Sequence, residues 1–136
     1  MFSYMAEMDG VNPLFTSRKQ AISSIKKLLK KYSVDKVFAY NASFDKNHLK
    51  ELKKYSWFDI MKVAAYKQHN DKLEIFEDIC KTGRLKSGYG VEPMMQLLSD
   101  NYQYKETHNA FYDAMDELKI MKLLKKPIDY YSIAKI

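Results

Sequence analysis

At 136 residues, with 46% hydrophobic and 29% charged side chains and only four Gly and three Pro, the chain has the make-up of one folded domain, which excludes disordered and fibrous classes. A formal net charge of +6 favours a polyanionic partner, because Lys and Arg beside phosphates release condensed counterions, yet the lysines are spread over several segments. A single cysteine, Cys80, excludes an intramolecular disulfide; no stretch approaches the roughly 18 apolar residues of a membrane span and no signal-peptide pattern opens the chain, so it reads as cytoplasmic.

In chain order, Ile22, Ile25, Leu28 and Leu29 recur at helical spacing with lysines opposite, which predicts an amphipathic helix over 17–32, capped by Thr16 or Ser17 and packed on a sheet. A short apolar and aromatic run predicts a strand over 36–40, followed by a helix over 45–54 carrying Leu49 and Leu52. A second strand is expected over 57–60, then helices over 61–68 and 71–81, the latter ended by Thr82-Gly83. Residues 86–90, with Gly88 and Gly90, read as a loop, and 91–99 as a helix with Pro93 in its first turn. Phe111, Ala114, Met115, Leu118, Met121 and Leu124 give the strongest helical period in the chain, over 109–125, ended by Pro127.

Two segments carry chemistry. Asn41-x-x-Phe44-Asp45-x-x-x-Leu49 sets a carboxylate where a strand turns into a helix, and His108-x-Ala110-x-x-Asp113-Ala114 sets an imidazole and a carboxylate on adjoining turns. Phosphodiester hydrolysis with two divalent ions needs carboxylates to hold the metals and a base for the attacking water. Hard oxygen ligands suit Mg²⁺ or Mn²⁺. Asp45 and Asp113 can share such a site across the fold, and His108, a turn before Asp113, can serve as general base near neutral pH.

These segments are similar to the second and third exonuclease motifs of the DEDDh family, which includes the epsilon subunit of DNA polymerase III and RNase T. The resemblance spans roughly residues 17 to 126. It implies an α/β protein of the ribonuclease H-like (exonuclease) fold, a mixed sheet flanked by helices, in a single exonuclease-like domain over 1–136. It also implies 3′–5′ hydrolysis of single-stranded DNA or RNA ends by two-metal catalysis, with Asp45 and Asp113 as metal carboxylates and His108 as base.

The family's first motif, Asp-x-Glu on an opening strand, does not occur ahead of the first predicted helix. Glu7 is the nearest candidate for its glutamate, with Met5 at the aspartate position; the reversed Glu7-x-Asp9 is another. An N-terminally shortened sheet is the favoured account, with activity impaired and an exposed strand edge open to pairing in a homodimer. The alternative is a non-catalytic nucleic-acid- or protein-binding module that retains the exonuclease fold. Asn41, Tyr40 and Phe44 are the candidate nucleic-acid contacts, with Tyr89 in the glycine loop beside them. Asn41 is equally able to cap the turn through its amide, and Phe44 to serve packing. Asp59 reads as a helix cap rather than a metal ligand, Asp116 and Glu117 as exposed helix charges, and His48 and His69 as surface residues.

Overall fold

Ser17 starts the first helix with a reciprocal cap: its hydroxyl accepts the Gln20 N–H while the Gln20 side chain accepts the Ser17 N–H, both at 3.2 Å. This helix, α1 (Arg18–Lys31), ends with Lys30 and Lys31 in its last turn, where positive charge suits the carbonyl end of the dipole. Ser33 then turns left-handed, and Ser33 and Val34 donate to Lys30 and Leu29, closing the helix with a Schellman motif. The computed structural model describes residues 16–136, and the chain, which reads in sequence as one domain, divides into two compact units, Met1–Asp35 and Lys36–Ile136. Of the apolar stripe predicted to pack on a sheet, Ile22 is buried, whereas Ile25 and Leu28 are exposed.

The second unit is mixed α/β. Strands β1 (Lys36–Ala39) and β2 (Ser56–Asp59) pair in parallel, with Lys36 opposite Ser56 and Ala39 opposite Asp59. Parallel pairing needs a crossover long enough to return the chain to the same end. Helix α2 (Ala42–His48) and a 3₁₀ turn at Lys50–Leu52 supply it. The expected helix over 45–54 therefore starts earlier and breaks at Leu49, where the backbone leaves helical geometry and the 3₁₀ turn begins. Trp57 is buried and its indole N–H donates to the Leu52 carbonyl at 3.1 Å, locking the crossover onto β2. Phe38 stacks on Phe58 at 5.1 Å and meets Tyr131 edge-on at 5.5 Å, while Ile136 donates to the Trp57 carbonyl along the far edge of β2.

Helices α3 (Met61–Ala64), α4 (Val91–Ser99) and α5 (Ala110–Leu124) complete the unit, with α4 against α5. Met94 and Met95 on α4, Ile120 on α5 and Ile60, Ala64 and Leu73 form one core, each large apolar side chain contributing about 1.5–3 kcal/mol through burial. Buried Asn70 is satisfied within it, donating to the Ala64 carbonyl at 2.7 Å and accepting the Lys72 N–H at 3.1 Å.

The predicted helix over 71–81 does not form, and that over 61–68 is one turn long. Beyond the 3₁₀ turn Asp71–Leu73, the backbone groups find partners across a loop instead: Cys80 donates to Arg84, Lys86 to Asp78, and Ile79 bridges Leu85. Gly83, at φ +92°, makes the reversal that a helix would have prevented. Among the described residues, no helix is long and apolar enough to cross a membrane.

Candidate active site

β1 and β2, being parallel, deliver their carboxyl ends to the same edge, which is where open α/β sheets place ligands. At that edge Asn41 adopts a left-handed backbone (φ 60°, ψ 50°), a conformation Asn tolerates better than most residues, and α2 begins immediately after it. The Asn41 N–H donates to Asp59 Oδ1 at 2.9 Å, and the Met61 N–H donates to the same oxygen at 3.0 Å. One buried carboxylate at the end of β2 thus holds the start of both following helices, which agrees with the capping role expected for Asp59. Burial pushes its pKa up, and the N–H groups of Met61, Ala42 and Asn41 oppose that. The Asn41 amide makes no capping bond, so the turn is held by the Asn41 backbone rather than by its side chain.

Asp45 lies partly buried in α2, and its pKa is raised first by burial and further by the Asp59 charge, with His48 opposing. Phe44 beside it is 61% exposed, its ring 4.3 Å from that of His48, so it has an open face rather than a place in the core. Tyr40, a candidate nucleic-acid contact in the sequence, is turned into the core. It is buried, its hydroxyl donates to the Tyr89 carbonyl, and its pKa is raised by burial, because the strand end turns this side chain inward among Ile60, Leu85 and Met94.

Asn109 caps α5 by accepting the Phe111 N–H at 3.0 Å, which places Asp113 in the first turn of that helix. Asp113 Oδ1 is buried without a hydrogen-bond partner, an arrangement that calls for an explanation in any folded protein. Glu117, one turn further, is half-buried rather than an exposed charge: its carboxylate accepts the Tyr40 N–H at 3.2 Å. Burial raises the Glu117 pKa to about 7, against the Tyr40 N–H, and the Asp45, Asp113 and Asp59 charges raise it further. Asp116 is likewise engaged, accepting the Tyr104 hydroxyl.

Asp45 from α2, Asp59 from β2, and Asp113 and Glu117 from α5 therefore form one acidic group at the strand ends. Among the described residues, no three His, Cys, Asp or Glu side chains gather closely enough to hold a metal ion. His108, left-handed at φ 54° just ahead of α5, has an 81% exposed side chain whose nearest acidic partner is Glu106 at 4.0 Å. Glu106 connects it to the acidic group: its pKa is raised by burial and by Asp113 and lowered by His108. Glu7 lies outside the described residues. His69, expected at the surface, is partly buried with Nδ1 on the Tyr130 hydroxyl at 2.7 Å.

Glu117 was not among the site residues expected from the sequence, whereas Asp59 was expected as a helix cap. Glu117 follows Asp113 by one helical turn on the same face, a spacing that would have flagged it. Compared with known proteins, the chain matches no family model, no curated protein and no solved structure.

Proposed function

We propose that this chain is an exonuclease-type domain of the DEDDh kind, with a ribonuclease H-like arrangement, that hydrolyses single-stranded nucleic acid from the 3′ end. The observation that carries the reading is geometric: the Tyr40 N–H, on the strand end that leads into the helix of Asp45, is held by Glu117, one turn from Asp113, whose Oδ1 is buried without a partner. In this reading Asp45 and Asp113 are metal carboxylates, and Glu117, which accepts the Tyr40 N–H, holds the end of β1 against the helix that carries Asp113. The unpartnered Asp113 Oδ1 fits a group whose bonding is completed by a cation. Mg²⁺ or Mn²⁺ would supply charge neutralisation and an activated water. His108, exposed at the head of α5, would act on that water as base, and Phe44 offers an exposed ring to a base of the strand.

The second reading, a binding module that keeps the fold, is favoured by one observation: the described carboxylates do not form a three-ligand metal group. Digestion of a 5′-labelled single-stranded oligonucleotide with Mn²⁺ separates the two. Stepwise shortening that disappears in Asp45→Ala and Asp113→Ala supports the exonuclease. Retention of the oligonucleotide in a binding assay with no shortening by wild type assigns the chain to the module. The homodimer expected from an open strand edge is a separate matter, decided by sedimentation.

A further inference from the structure

α5 has two faces. At 100° per residue, Asp113, Ile120 and Leu124 fall on one side, where Ile120 is fully buried. Phe111, Met115 and Leu118 fall on the other and are 40%, 50% and 44% exposed, and Ile128 just beyond the helix is 53% exposed. Large apolar side chains grouped in this way on a surface mark an interaction site more often than chance exposure. The stripe runs into a groove of about 520 Å³ lined by Leu118, Met121, Pro127 and Ile128, a volume in the range of pockets that take up anchoring groups. Lys122 and Lys125 stand on the rim of that groove, and Lys119 is exposed on the same half of α5. The carboxylates of α5, Asp113, Asp116 and Glu117, all lie on the other side, toward the acidic group and Tyr104.

We infer that this face of α5 docks an acidic amphipathic helix of a partner protein, its apolar residues entering the Leu118–Ile128 groove and its carboxylates meeting Lys119, Lys122 and Lys125. Charge decides the occupant. A second copy of the chain would bring lysines against lysines. A nucleic acid strand would meet mainly aliphatic side chains between the lysines, with Phe111 and its ring neighbour Tyr112 as the aromatic surface at one end of the helix. An amphipathic helix satisfies both features, laying anchors at three-and-four spacing into an apolar groove while complementary charge fixes its register. The face is opposite the acidic group, so docking and hydrolysis are independent, and failure of one leaves the other standing.

The test uses fluorescence anisotropy with a fluorescein-labelled designed helical peptide, leucines at three-and-four spacing and glutamates between, and a control in which every glutamate is lysine. Wild type is expected to bind the acidic peptide saturably and not the basic one. Leu118→Glu, and separately Lys122→Glu with Lys125→Glu, should each weaken binding about tenfold or more while circular dichroism stays unchanged. Three results overturn the proposal: no binding of the acidic peptide, equal binding of both peptides, or unchanged binding by Leu118→Glu. A dimer in sedimentation that Leu118→Glu dissociates reassigns the face to a second copy. Displacement of the peptide by an oligonucleotide or by anionic phosphatidylserine vesicles reassigns it to those partners.

Discussion

The backbone N–H of Tyr40 donates to the Glu117 carboxylate at 3.2 Å, tying the end of β1 to the middle of α5 across the whole second unit. Through this bond the acidic group and the strand ends become one structure, so changes in its ionisation register in the stability of the fold.

Glu117 makes stability pH-dependent. Its folded pKa, about 7, lies above the ordinary carboxylate value, so folding favours the protonated form. That contribution is fully present below about pH 4.5 and is lost as pH rises through 7. Glu117→Gln keeps an acceptor for Tyr40 and removes the titration. After allowance for solvent screening, it should be more stable than wild type at pH 8 by roughly 1 kcal/mol, or about 3 °C in Tm, with little difference at pH 4. Equal pH profiles for the two proteins in thermal unfolding would show that Glu117 ionises without cost.

Asp59 holds two N–H groups with one oxygen. Asp59→Ala leaves both without that acceptor in a part-buried setting and should cost about 1–3 kcal/mol in urea unfolding. Asp59→Asn retains an acceptor oxygen and should cost about half as much.

Asn41 turns the chain left-handed at φ 60°. Asn41→Gly should be near neutral, whereas Asn41→Val, whose branched Cβ clashes in that region, should lose about 1–2 kcal/mol. A valine variant as stable as wild type would mean that the turn can be rebuilt with another backbone.

His108 tests the catalytic assignment apart from binding. His108→Gln should slow Mn²⁺-dependent shortening of single strands by about 10²–10⁴-fold, the usual contribution of a general base. Oligonucleotide affinity should stay unchanged, because the side chain stands outside the acidic group. A large loss of affinity would give His108 a binding role.

Elements whose signals are local were legible before folding is considered. The cap at Thr16 or Ser17, the apolar stripe of α1, the glycine loop ahead of α4 and the long apolar period of α5 are all signals spread over a few residues, and each of these helices lies where its sequence places it. Segment 71–81 failed for the opposite reason. Its apolar residues fit a helical period, yet Arg84 and Leu85, on the far side of Gly83, offered its backbone better partners than its own next turn.

The same division runs through the candidate site. The sequence by itself determined which residues stand as candidates and on which elements: Asp45 behind a strand, and His108 and Asp113 around a helix start, because their spacing along one element is a property of that element alone. Only the tertiary structure decided that Asp59 clamps Asn41 and Met61, that Tyr40 turns inward, and that Glu117 joins Asp45 and Asp113 with its proton held to about pH 7. Burial and like-charge repulsion arise between residues distant in the chain, so no local pattern encodes them; they exist once parallel strands have brought β1, β2 and α5 to one edge.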